Sequence, residues 1–143
     1  MAEFTANALQ VVETNQNILF TDTAIPGNCS IIHREGSGLV TLRGQTSTQC
    51  RARFRVTFGG NIAVPADETA GPISVAIAIN GEPIASTNMI VTSAMTERFF
   101  NVSRSVNVDI PKGCCSQISI RNTSPDGLSI DVQNANLIVE RVA

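Results

Sequence analysis

"ISVAIAINGEP", residues 73–83, decides the fold class. Ile73, Val75, Ile77 and Ile79 alternate with Ser74, Ala76 and Ala78, and a period of two sends the two sets to opposite faces of a β-strand. Asn80-Gly81 follows at once, the residue pair that accepts the positive φ angles of a two-residue type I′ hairpin turn. A return strand is expected through Ile84 and then Met89 to Val91. Helical packing would need apolar residues three and four apart, and this stretch repeats strictly every second residue.

The same period recurs outward from this hairpin. In "FFNVSRSVNVDIP", residues 99–111, Phe100, Val102, Val106, Val108 and Ile110 share one face, and Asn101, Ser103, Ser105, Asn107 and Asp109 the other. Pro111-Lys112-Gly113 ends that strand. Further strands are expected at 51–58 (RARFRVTF), 116–122 (SQISIRN), 128–133 (LSIDVQ) and 136–142 (NLIVERV), and in "LQVV", "NILFTD", "SIIHRE" and "LVTLRG". Gly59-Gly60-Asn61, Pro125-Asp126-Gly127 and Gly36-Ser37-Gly38 supply the turns between them. No helical window competes, and about ten short strands without a repeat or a linker predict an all-β sandwich or barrel. The expected organisation is an N-terminal arm at 1–8, polar and extended enough to add to another protein's sheet edge, and one domain at 9–143.

Composition narrows the function. Charged residues make up only 15% and aromatic residues 4%, with no Trp or Tyr, while Ser, Thr and Asn fill the polar positions. A net charge of -2 gives no general attraction to polyanions, so neither nucleic acid nor an anionic membrane is expected as a partner. "MAEFTANALQ" has neither the basic start nor the apolar stretch of a secretory signal, so assembly inside the cell is expected. No run approaches the ~18 apolar residues of a membrane span.

Few residues offer chemistry. Cys114 and Cys115 are neighbours at the start of a strand, so alternation points Cys114 inward with Ile118 and Ile120, and Cys115 the other way with Gln117 and Ser119. Neighbouring cysteines suit neither a zinc site, which spaces its ligands by two to four residues, nor an unstrained disulfide. Buried structural thiols are the expectation for the four cysteines, with a Cys29–Cys50 disulfide as the alternative. His33 is the only histidine, and a catalytic triad would have to use it with Glu35 or Asp22. No nucleophile elbow, phosphate loop or metal motif accompanies it, so no catalytic residue, cofactor or metal is expected.

Surface residues carry more information. Arg51, Arg53 and Arg55 form a row on one strand face, to be paired with acids of a neighbouring strand or used to grip a partner. Arg104 interrupts an apolar face, which a bulge or an interface carboxylate would explain. The weakly polar face of Ser74, Ala76 and Ala78 is unusual for a monomer. Homo-oligomerisation is therefore expected, with Ala76, Ala78, Arg51, Arg53, Arg55, Arg104 and Cys115 as candidate interface residues.

The order of these features resembles the ten-stranded jelly roll of complement C1q and tumour necrosis factor. The stretches that carry it are "NILFTDTAIPGNCSIIHREGSGLVTLRG", "ISVAIAINGEPIASTNMIV" and "VNVDIPKGCCSQISIRNTSPDGLSIDVQNANLIVERV". "LFTDTAIP…HREGSG…LRG" is similar to short proteins of phages and prophages of Firmicutes. The resemblance implies a homotrimer displayed on a virion, as a capsid decoration or a head or fibre-tip domain. It would attach to the major capsid or another virion protein, after assembly in the bacterial cytoplasm. It also implies an aromatic trimer core, left here to Phe20, Phe54, Phe58, Phe99 and Phe100. Two alternatives belong to other classes: a carbohydrate- or receptor-binding module with a host surface glycan as partner, and a spore-surface display trimer.

Overall fold

The computed structural model describes residues 1–113 and 115–143, with the backbone alone at 126. Twelve strands lie among them: β1 (Ala2–Ala6), β2 (Gln10–Val12), β3 (Asp22–Ile25), β4 (Ile31–His33), β5 (Val40–Arg43), β6 (Arg51–Ala63), β7 (Pro72–Ile79), β8 (Glu82–Pro83), β9 (Met89–Thr92), β10 (Phe100–Pro111), β11 (Cys115–Asn122) and β12 (Ile130–Arg141). They build two antiparallel sheets, β10-β6-β12-β1-β3 with β2 also on β12, and β4-β5-β11-β7-β8 with β9 also on β7. From β5 onward the chain passes repeatedly between the sheets, which makes the sandwich a jelly roll. The inward side chain expected for Cys114 lies outside the described residues.

The core is what the period of two foretells at Phe54, Phe58, Ile77 and Ile118, which are buried between the sheets. Phe4, Phe20, Ile62 and Leu137 are buried with them. Burying each such side chain stabilises the fold by about 1.5–3 kcal/mol. Phe20, Phe54 and Phe58 are thus spent on the protomer's own core, while Phe99 is exposed and Phe100 sits beneath the Arg98 guanidinium, 5.5 Å from its ring centre.

Two expectations are corrected. Gly59-Gly60-Asn61 is no turn: β6 continues through it to Ala63, and burial keeps alternating at Phe58, Gly60 and Ile62. Across from it β12 carries a bulge between Gln133 and Asn136, with Asn134 at φ 56. A Cβ at Gly60 would stand 3.1 Å from the Phe58 ring and 3.4 Å from Ala135 Cα, so glycine lets the bulged strand close in. The N-terminal arm is likewise a sheet strand. Residues Ala2–Ala6 lie between β12 and β3, with Ala2, Phe4 and Ala6 buried, because this segment also alternates.

The Asn80-Gly81 turn is as expected, with φ 52 and 84 and Ile79 paired to Glu82 across it. The return path is broken by a single 3-10 turn, Ala85–Thr87, before β9 resumes along β7. Thr87 repairs the gap. Its buried hydroxyl accepts from Ile77 N at 3.0 Å and donates to the Ile84 carbonyl at 2.7 Å. Replacing it with valine keeps the shape but orphans a buried N–H, so Thr87→Val is expected to cost about 1–3 kcal/mol in urea unfolding, and Thr87→Ser far less.

Candidate assembly surface

The outer faces of the two sheets differ in what covers them. On β7 the weakly polar set is already buried within the protomer, with Ser74 at 3%, Ala76 at 1% and Ala78 at 0% exposure. Arg121 pairs opposite Ala76 and donates to the Gly81 carbonyl at the hairpin, so its stem runs along the alanines. Ala76 and Ala78 are therefore removed from the candidate interface: long neighbours on a flat sheet bury small residues without any partner.

The outer face of the first sheet is different. Arg53 donates to both Asp109 carboxylate oxygens, at 2.8 and 3.2 Å, Arg51 Nε lies 3.1 Å from Asp109, and Arg55 donates to Glu140 at 3.3 Å. The arginine row is thus a cross-strand ladder, in register with β10 and β12. The Arg53 hydrogen bond holds the Asp109 carboxyl below its ordinary range and raises the Arg53 guanidinium in turn. All are solvated, where ion pairs contribute little stability.

Beyond Arg55 the face is small and uncharged. Thr57 shares a 3.0 Å hydrogen bond with Ser105, and Asn101 donates to Asn61 at 3.2 Å. Gly59 and Ser103 lie between them, and Ile138 is half-buried next to Thr57. Asn101, Ser103 and Ser105 were legible as outward residues, but their partners on β6 and β12 follow only from the register.

The rim beside this face is open. β10 pairs with β6 alone, and its inward residues Val102 and Val106 are only partly buried, whereas Val108 and Ile110 are buried. Arg104 lies between the two valines and is exposed. The register runs unbroken from Phe100↔Ile62 to Pro111↔Arg51, so no bulge shifts it.

The remaining candidates lie elsewhere. Cys29, Cys50 and Cys115 are exposed free thiols, which corrects the expected burial of Cys29 and Cys50 and the alternative of a disulfide between them. Each belongs to a loop or strand start outside the core, and Cys115 begins β11 in the second sheet, away from the polar face. His33 packs on Phe4 and Phe20, with ring centres 4.5 and 6.5 Å away, and Nε2 lies 2.9 Å from the Ser37 carbonyl. Glu35 and Asp22 do not orient it among the described hydrogen bonds, so it sits as a packing residue.

No family model matches the chain, and none of the curated proteins does. Solved structures do. The Eiger TNF of S. frugiperda superposes with a TM-score of 0.68 at 13% identity, over 99% of this chain and 91% of that one. The globular domain of zebrafish complement 1qA gives 0.58 at 12% identity, over 96% and 94%. Murine APRIL at pH 5.0 gives 0.53 at 7% identity, over 92% and 96%. The fold is a C1q/TNF-like jelly roll, as the resemblance implied.

At the far end of the polar face, Asp131 is nearly buried opposite Ala63. Burial first, then the charges of Glu97 and Asp67, hold its carboxyl above the ordinary range. The folded state therefore binds this proton more tightly than the unfolded chain. That contribution is complete below the ordinary aspartate pKa of about 4 and is lost as pH rises through the elevated value. Asp131→Asn is expected to raise the melting temperature by about 1–4 °C at pH 7 and to leave it unchanged near pH 3, read by differential scanning calorimetry.

Proposed function

We propose that this chain is a non-enzymatic structural protein of a bacteriophage particle. It assembles in the bacterial cytoplasm as a homotrimer and is displayed on the virion, as a capsid decoration or a head or fibre-tip domain. The observation that carries the assembly is the pairing of two unlike surfaces on one protomer: the flat, uncharged stretch from Thr57 to Asn61 with Ser103, Ser105 and Ile138, and the open edge with Val102 and Val106. Neither is self-complementary. Each can cover the other on a rotated copy, and a head-to-tail contact of that kind closes into a ring. The trimer number rests on the C1q/TNF-like fold, and the phage assignment on the similarity of "LFTDTAIP…HREGSG…LRG" to virion-associated phage proteins.

Arg104 and the arginine ladder fit the same scheme. At the open edge Arg104 has no carboxylate of its own among the described ion pairs, and it would meet one, such as Glu3 or Glu140, from the neighbouring copy's face. Its burial there is tolerable only if it is paired.

Light scattering on a sizing column is expected to give three times 15.2 kDa. Ser103→Arg, an exposed position in the middle of the flat face, is expected to give a monomer with an unchanged far-UV circular dichroism spectrum. A wild-type monomer would count against the assembly. The virion assignment is tested separately by immunogold labelling of phage particles from the bacterium that encodes the chain. Label on heads or fibre tips is expected, and particles without label would overturn it.

A further inference from the structure

One end of the sandwich concentrates positive charge. Six of the ten cations, Arg43, Arg51, Arg53, Arg55, Lys112 and Arg141, gather towards it. Asp109 and Glu140 answer Arg51, Arg53 and Arg55 on the outer face of the first sheet. Arg43 and Lys112 are exposed, have no carboxylate among the described ion pairs, and line the same concavity of about 490 Å³. That volume suits a small ligand.

The backbone sets up this arrangement. Gly113 adopts φ 73 in the turn after β10, and its N–H donates to the Gly44 carbonyl at 3.1 Å. Gly44 presses so closely on the Pro111 carbonyl that any Cβ would collide with it. The loop after β5 is thereby clamped to the β10–β11 turn, with Arg43 on one side and Lys112 on the other. Arg141 of β12 donates to the Gln45 carbonyl, and Lys112 of the β10–β11 turn to the Ser47 carbonyl at 3.4 Å, which adds two holds on the loop. Gln45 and Thr46 add polar side chains to the lining, and no aromatic ring is present there for stacking.

We propose that this concavity binds a small anionic ligand, a phosphoryl or carboxylate group carried on a hydroxyl-rich body. Arg43 and Lys112 grip the anion with charge-assisted hydrogen bonds, and Gln45 and Thr46 meet the hydroxyl groups. The site shares no lining residue with the flat face of the first sheet.

The test is an amide NMR titration of the whole protein with glycerol 1-phosphate and with glucuronate, using glycerol and glucose as neutral controls. Saturable shifts are expected at Gly44, Gln45, Thr46 and Gly113 with at least one anion, with a dissociation constant of about 1 mM or tighter. Shifts with the phosphate alone assign a phosphoryl ligand, and shifts with glucuronate alone a carboxylate. The doubly substituted Arg43→Gln, Lys112→Gln protein should bind at least tenfold more weakly, and 0.5 M NaCl should weaken wild-type binding several-fold. No saturation with either anion, equal shifts from the neutral controls, or indifference to salt and to both substitutions would overturn the proposal.

Discussion

The close approach of β12 to β6 at Gly60 is the constraint on which the first sheet depends. Among the described residues β6 is the one strand flanked along its length by two long partners, β10 and β12. A side chain at position 60 would push against the Phe58 ring and the bulged Ala135, and the ladder would open on one side. With glycine there, β6 runs unbroken from Arg51 to Ala63 and its outward residues stay in step with both neighbours. The arginine ladder, the Thr57–Ser105 and Asn61–Asn101 hydrogen bonds, and the flatness between them all follow from that single register.

The two outer faces then diverge for a simple reason of side-chain length. The second sheet has alanine and serine on β7 beside a long Arg121, and the arginine folds down over them. The first sheet has short residues on β6 and β10 alike beyond Arg55. The same strand β10 leaves Val102 and Val106 half-covered at its open edge. A protomer with one flat polar face and one apolar rim has a reason to associate that its net charge does not oppose.

Much of this was legible in the residue order. The period of two placed the inward residues of β6, β7 and β11, and Asn80-Gly81 placed the hairpin turn to the residue, because both signals act over neighbours in sequence. What was hidden depends on partners far along the chain. Gly59-Gly60 looks like a turn until β12 is known to bulge against it. Ala76 and Ala78 look like an interface until Arg121 is known to lie beside them. Residues 2–6 alternate as well as any strand, but polar neighbours and a terminal position suggested an arm. Cys29 and Cys50 looked like core residues by type, and the loops that carry them keep them out of it. The concavity lined by Arg43 and Lys112 had no sequence signature at all, since the two residues meet only through the clamp between Gly44 and Gly113.

The central claim is that the flat face of the first sheet and the rim of β10 are covered together by copies of the same chain. Hydroxyl-radical footprinting of Ile138, Val102 and Val106 at high and low protein concentration tests it most directly. The account predicts that all three are protected together at high concentration and become labelled together on dilution. Equal labelling at every concentration, or protection of the β7 face in their place, would contradict it.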